Sequence, residues 1–204
     1  DGATALRKGE SKWITCSESR EDVQRLRAEA CAILTGIGTV LKDDPSLNIR
    51  TLSFDTLGRQ PMRVVLDSKL RTPRESKLLS VAGVNRIYTA SADSSLATAL
   101  RDAGAIVCFT PKCDNGIDVE AVLCDLSKQG INKVLVEAGA TIVAELIDKE
   151  LFDEIIVYMA PKILGRDARS GFNIASPDNL SDAFGLKFVE SYNVGTDIVL
   201  KFLR

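Results

Sequence analysis

The sequence predicts an α/β fold: a mostly parallel sheet with an antiparallel C-terminal hairpin, flanked by helices. Three observations carry this. Apolar runs of strand length alternate with helical patterns over most of the chain, the order that builds parallel sheets through crossover helices. The alternation stops near Lys187, where two strand-like runs follow one another directly, as in a hairpin. No repeat, low-complexity tract or long linker interrupts the 204 residues, so a single domain over 1–204 is expected.

The elements follow from local chemistry. Ser17 or Ser19 caps a helix running to about Cys31, with Val23, Leu26, Ala30 and Cys31 on one face. Ala32–Thr35 reads as a strand that exits into Gly36 and Gly38. Pro45 and Pro61 bracket a polar, loop-like stretch, and Arg63–Leu66 is a short buried strand ending at Asp67-Ser68. Arg86–Ala90 reads as strand, Ser94–Ala103 as helix closed by Gly104, and Ala105–Phe109 as strand. Asp118 caps a helix stopped by Gly130, Lys133–Val136 is strand, and Thr141–Lys149 is an amphipathic helix. Glu154–Met159 is strand. Lys187–Tyr192 and Ile198–Leu203 form the hairpin, joined by a longer loop through Asn193–Asp197.

Composition excludes several chemistries. The chain has no histidine, which removes Ser-His-Asp and Cys-His nucleophile pairs and every histidine-containing metal site. Proton transfer then falls to carboxylate, Lys, Tyr, Cys, water or a cofactor. Net charge is −2 and aromatic content 5%, so neither the positive field nor the stacking surface of a nucleic-acid binder is present. No segment approaches the roughly 20 apolar residues of a membrane span. The polar start lacks a signal-peptide core, and a cytoplasmic protein is expected. Cys16, Cys31, Cys108, Cys113 and Cys124 are odd in number and make no C-x-x-C. Reduced structural thiols are expected, with Cys31, Cys108 and Cys124 in apolar stretches. No metal site is expected.

Ligands on sheets of this kind bind beyond the carboxyl ends of the strands. Two such ends carry glycine. Thr35-Gly36-Ile37-Gly38-Thr39-Val40-Leu41 begins like a dinucleotide G-x-G-x-x-G, but Leu41 stands at the third glycine position, and close strand–helix packing explains the glycines equally well. Val136-Glu137-Ala138-Gly139-Ala140-Thr141 precedes a helix. It is either an anion site for a pyrophosphate or an ordinary turn with Thr141 as the cap. Glu137, at the end of an apolar strand, is a candidate site carboxylate or a half-exposed strand end. Asp43 and Asp44 precede Pro45, where turn chemistry also accounts for them. Arg27 lies on the polar side of its helix. Together with Arg50 it is either solvated or one half of a bidentate phosphate clamp. Trp13, the sole tryptophan, packs in the core or lies beside a flat cofactor.

These segments together resemble one family. Asp1-Gly2, the run Gly9–Thr15, the long block Ala32–Arg50, Gln60–Ser68, Val136–Gly139 and Ile156–Gly165 are similar to the reductase domain of the bifunctional riboflavin-biosynthesis protein RibD, over nearly the whole chain. The resemblance implies a dihydrofolate-reductase-like fold. It also implies reduction of 5-amino-6-(5-phosphoribosylamino)uracil to the ribitylamino compound with NADPH. The family's partner is an N-terminal zinc deaminase domain, whose H-x-E and P-C-x-x-C elements are absent here. The chain is therefore expected to be the reductase half, beginning after the family's first strand, and a dimer.

By position, the resemblance places Ser11, Arg27, Leu47, Arg50 and Glu137 around the substrate. It places Trp13, Thr39, Asp43, Ser68 and the stretch Gly139, Ala140, Thr141, Ile142, Val143, Ala144 and Glu145 around NADPH. Lys69 and Arg71 lie beside Ser68, where an adenosine 2′-phosphate would be met. Glu137 is the first candidate for moving a proton and Asp43 the second. Two alternatives stay open: a reductase of the same fold for another pterin or pyrimidine, and a nucleotide-binding module without turnover.

Overall fold

The computed structural model describes residues 1–51, 53–113 and 116–204. In chain order the elements begin with β1 (Ala3–Ala5), α1 (Ser17–Glu29), β2 (Ala32–Gly36), α2 (Ile37–Asp43), β3 (Met62–Leu66) and α3 (Lys77–Ser80). They continue with β4 (Asn85–Thr89), α4 (Ser94–Asp102), β5 (Ala105–Phe109), β6 (Lys112–Cys113), β7 (Gly116–Ile117) and α5 (Val119–Lys128). The last are β8 (Val134–Val136), α6 (Ala140–Asp148), β9 (Glu154–Met159), β10 (Arg169–Ser170), β11 (Lys187–Val194) and β12 (Asp197–Leu203). The chain divides into two compact units, Gln24–Ile142 and the pair of segments Asp1–Val23 and Val143–Arg204.

The unit Gln24–Ile142 is built on a five-stranded sheet in the order β5-β4-β3-β2-β8, parallel at every step. Parallel sheets are covered on both faces, so their inner strands are apolar without alternation. β2 is buried along its whole length, and Val64 and Val65 of β3 have no exposed surface. Ile37, Val40, Leu78, Ala97 and Leu100 pack from the helices against Val65 and Ile87. Each fully buried Val, Leu or Ile contributes roughly 1.5–3 kcal/mol. β5, at the edge, alternates buried and exposed residues.

The helix boundaries follow the capping chemistry. Asp93 accepts from the Ser95 and Leu96 N–H groups, and Asp118 from those of Glu120 and Ala121. Gly104 and Gly130 take φ of +89° and +79°, the left-handed conformation that ends a helix at little cost to glycine.

Arg63 is the largest fully buried side chain. Its Nε donates to Asn85 Oδ1 at 2.6 Å, and its terminal nitrogens donate to the Val81 and Ala82 carbonyls at 3.0 Å. This cation is satisfied by neutral acceptors and ties the chain leaving α3 to β3 and β4.

In the other unit, β9 joins the C-terminal hairpin in a three-stranded antiparallel sheet, β11-β12-β9. β9 was expected to continue the strand–helix alternation; its register with β12, Ile198 opposite Met159 through Leu203 opposite Glu154, is antiparallel. The hairpin loop is shorter than expected. Val194 pairs with Asp197, leaving Gly195 and Thr196 as the turn, with Gly195 at φ +56°. A Cβ at Gly195 would stand 2.8 Å from Cys16 Sγ, so the position has room only for glycine.

Asp197 is almost wholly buried. Its Oδ2 accepts from the Cys16 N–H at 2.8 Å and from Ser19 Oγ at 2.6 Å, which holds the start of α1. Burial pushes this carboxyl up, but the hydrogen bonds from Ser19 and Cys16 outweigh it and hold it below its ordinary value. Its contribution is therefore complete above the unfolded aspartate pKa and is lost as pH falls through the lowered folded value. Asp197→Asn should cost about 1–3 kcal/mol near neutrality. That deficit should shrink well below pH 3.8, as read by denaturant unfolding at the two pH values. A deficit independent of pH would show that the ionised form is not what stabilises.

All five cysteines are free; Cys124 is exposed, and Cys31 and Cys108 are only half-buried. The expected burial of Cys124 fails because it falls on the outward side of α5, whose buried residues are Val119, Val122 and Leu126. Among the described residues no helix is long and apolar enough to cross a membrane.

Candidate active site

In the unit Gln24–Ile142 the strand order reverses at β2. The chain passes from β2 to β3, β4 and β5 on one side, then returns to place β8 on the other. Such a switch point opens a crevice beyond the carboxyl ends of its two strands. Here those ends are Gly36–Gly38 and Glu137–Ala140. They are stitched together by Glu137 N–H donating to the Leu34 carbonyl at 2.9 Å and by Thr35 Oγ1 donating to the Glu137 carbonyl at 2.8 Å.

The three glycines at this edge differ in purpose. A Cβ on Gly36 would lie 2.6 Å from Ile142 Cδ1, so Gly36 admits α6. A Cβ on Gly38 or on Gly139 would meet nothing within 4 Å. These two leave open space at the crevice. Gly38 sits in the first turn of α2, which is helical from Ile37. α6 begins at Ala140, so Thr141 lies inside the helix and is not its cap. Ala140 and Thr141 thus contribute first-turn amides, and an open glycine beside them suits an anionic ligand.

Glu137 is half-buried, and both of its carboxylate oxygens accept from Arg27. Arg27 Nε donates to Oε1 and Nη2 to Oε2, both at 2.7 Å. Arg27 Nη1 also donates to the Asn48 carbonyl at 2.8 Å. Arg27 is 7% exposed, which corrects its placement on the polar side of α1. α1 buries a face that carries a cation because a bidentate carboxylate partner meets it. A carboxylate offers about four acceptor sites, so Glu137 retains capacity toward a ligand after Arg27 has taken two.

Leu47 is buried at φ +46°, a left-handed conformation that costs a leucine of order 1–3 kcal/mol and is typical of functional segments. Arg50 is exposed; its Nη1 donates to Asn48 Oδ1 at 3.4 Å. The two arginines therefore meet through Asn48 rather than as a free pair. Asn48 is a residue that sequence reasoning missed. Its only signal was its position inside the Leu47–Arg50 run.

The remaining candidates spread out. Thr39 lies in the first turn of α2, while Asp43 lies at the opposite end of that helix, about 6 Å further along its axis. Ser68 is half-buried just beyond β3, beside Gly116, where an added Cβ would stand 3.7 Å from Ser68 Oγ. Lys69 and Arg71 are exposed in the same loop. Val143 to Glu145 belong to the other unit. Ala144 is buried and Glu145 is paired with Lys149 at 3.0 Å, so the open part of 139–145 is its first turn.

Ser11 and Trp13 also lie in the other unit. Trp13 is 65% exposed, which corrects the core-packing expectation. The Arg20 guanidinium stands 4.3 Å from its ring centroid, and Lys162 Nζ donates to the Trp13 and Ile14 carbonyls at 2.7 Å. A cation over one face and a pinned backbone hold this ring at the surface.

Comparison with known proteins agrees with the fold. The profile of the RibD C-terminal domain family matches residues 1–200. The riboflavin biosynthesis protein RibD of Escherichia coli (strain K12) is 38% identical over 98% of this chain and 56% of its own length; the chain spans about half the length of such relatives. The 5-amino-6-(5-phosphoribosylamino)uracil reductase of Buchnera aphidicola subsp. Acyrthosiphon pisum is 33% identical over 96% of this chain and 97% of its own. A solved structure of Acinetobacter baumannii RibD superposes with a TM-score of 0.87 at 37% identity, covering 100% of this chain and 55% of that one. With a parallel sheet whose switch point carries the Gly36–Gly38 and Glu137–Ala140 ends, the chain belongs to the RibD C-terminal domain family.

Proposed function

We propose that the chain is an NADPH-dependent oxidoreductase that reduces 5-amino-6-(5-phosphoribosylamino)uracil to 5-amino-6-(5-phosphoribitylamino)uracil in riboflavin biosynthesis. The observation that carries this is the crevice edge itself: two open glycines and a helix start stand beside the Arg27–Glu137 pair, in which Arg27 is buried and Glu137 half-buried. The Buchnera relative, whose name states this reductase activity, matches nearly end to end. The residues fit a dinucleotide: Gly38 and Gly139 leave room for it, and the Ala140 and Thr141 amides suit its pyrophosphate. Thr39 and Ser68 border the same edge. Lys69 and Arg71 supply the positive charge that would separate NADPH from NADH. By resemblance, Trp13 and Asp43 join the cofactor's surroundings, and Ser11 and Leu47 the substrate's.

NADPH, when bound, supplies the hydride that reduces C1 of the opened ribosyl group. The chain's own residues do the rest. Arg50 holds the substrate 5-phosphate, and this remote binding orients the sugar. Arg27 orients Glu137, and Glu137 accepts a hydrogen bond from the substrate and takes or relays the proton moved on ring opening.

Loss of NADPH absorbance with this substrate, run beside NADH, tests the reading; no consumption of either cofactor would sink it. Arg50→Ala should raise KM for the substrate at least tenfold with little change in kcat, because a charge-assisted phosphate contact contributes roughly 1.5–3 kcal/mol. An unchanged KM would remove Arg50 from the phosphate site.

We further propose a cytoplasmic, dimeric protein, joined in full-length relatives to a deaminase domain. One face of the three-stranded sheet carries Ile155, Val157, Met159, Ile198, Leu200 and Phe202 in register. Ile198 is 46% and Met159 38% exposed, an apolar surface of the kind that pairs. Sedimentation at micromolar concentration reads the mass directly.

A further inference from the structure

We propose that Gln24 and Gln60 are positioning residues, whose side-chain amides lock the Ile49–Arg50 backbone and so set where Arg50 stands; this rests on Arg50 meeting the substrate phosphate. Gln24 lies three residues before Arg27 on α1, on the same buried face. Its Oε1 accepts from the Arg50 N–H at 3.0 Å. Gln60 lies just before β3 and pairs with Ile49 at both groups: Oε1 accepts from the Ile49 N–H at 2.8 Å, and Nε2 donates to the Ile49 carbonyl at 3.0 Å. Arg27 holds the Asn48 carbonyl.

The segment Leu47–Arg50 belongs to no strand or helix. Its Asn48 C=O, Ile49 N–H, Ile49 C=O and Arg50 N–H are nevertheless all committed, each to a side chain from α1 or from the start of β3. Leu47 and Ile49 are buried anchors. What remains outward is Arg50, a long side chain whose ordering would otherwise weaken binding. A fixed backbone under an exposed arginine is the support that a precise binding group needs. Glutamine is required at 60 because only an amide can accept from Ile49 N–H and donate to Ile49 C=O together; a carboxylate can do the first but not the second.

The test uses amide hydrogen exchange at Ile49 and Arg50, affinity for ribose 5-phosphate, and steady-state kinetics. Gln60→Met should speed exchange of the Ile49 amide at least tenfold, weaken ribose 5-phosphate binding about five- to tenfold, and raise KM for the phosphorylated pyrimidine alike. Its kcat and its KM for NADPH should stay within about twofold. Gln24→Met should do the same at Arg50, and Gln24→Glu, which keeps an acceptor for that N–H, should restore protection. If Gln60→Met fails to fold, Gln24→Met, read at the Arg50 amide, carries the same test by itself. Unchanged exchange, or a loss toward NADPH equal to the loss toward ribose 5-phosphate, would overturn the positioning role. A wild-type chain that binds ribose 5-phosphate but never consumes NADPH would overturn the substrate reading alone, because exchange and ribose 5-phosphate affinity still decide the role of the two amides.

Discussion

Glu137→Gln is expected to lower kcat by about 10²-fold or more, within the range that a positioned acid–base group contributes. Its carboxylate accepts two bonds from Arg27, both 2.7 Å. An amide presents one oxygen and one NH2, so one of the two guanidinium contacts becomes donor against donor. The buried cation then loses its counter-charge altogether, and the oxygen offered to the substrate loses its negative charge. Leaving a buried charge without its partner costs several kcal/mol at worst, so the folded state must be measured alongside. Denaturant unfolding reports that cost, and single-turnover reduction reports the chemistry. A stable variant that reduces substrate at the wild-type kcat would remove Glu137 from the reaction. A rise in KM alone would leave it a binding residue. Arg27→Lys probes the same pair from the other side, because a single ammonium cannot hold both carboxylate oxygens and Asn48 in one plane.

Arg63→Met should destabilise the protein by about 3–5 kcal/mol without touching the crevice. The methionine fills much of the arginine's volume but makes none of its hydrogen bonds. Asn85 Oδ1 and the Val81 and Ala82 carbonyls would then face a thioether, and buried acceptors left unmade cost about 1–3 kcal/mol each. Gly83 adds to the constraint: it sits at φ +120°, and a Cβ there would stand 3.0 Å from Arg63 Nη2, so the turn is shaped around the guanidinium. For a domain with 5–15 kcal/mol of total stability, a loss of this size should lower the melting temperature by roughly 10 °C. A change below about 1 kcal/mol would mean that the 81–85 segment is held by something else.

Most of the parallel layer was legible in the sequence because its signals are local. Asp118, Gly104 and Gly130 mark helix ends through bonds to residues two or three away, and a strand buried on both faces must be continuously apolar. The crevice ends at Gly36–Gly38 and Gly139 were also legible, since glycine at a strand exit has few uses. Arg27 was misplaced for the opposite reason. Its partner is 110 residues distant, and helix periodicity sorts a cation to the polar side unless that partner is known. Trp13 reversed the same way: an indole reads as core until Arg20 and Lys162 are seen to hold it outside. The hairpin turn was overestimated because Asn193 and Asp197 look like loop residues, whereas both pair across strands.

The order of elements, the Asp118 cap, the glycine helix stops and the absence of histidine follow from the amino acids alone, because each depends on a residue's own conformational or chemical limits. The bidentate Arg27–Glu137 pair, the Asn48 junction between two arginines, the glutamine braces and the buried Arg63 latch were decided only by tertiary structure. Each joins polar groups remote in sequence, and burial of a polar side chain is tolerable only where the fold delivers the partner.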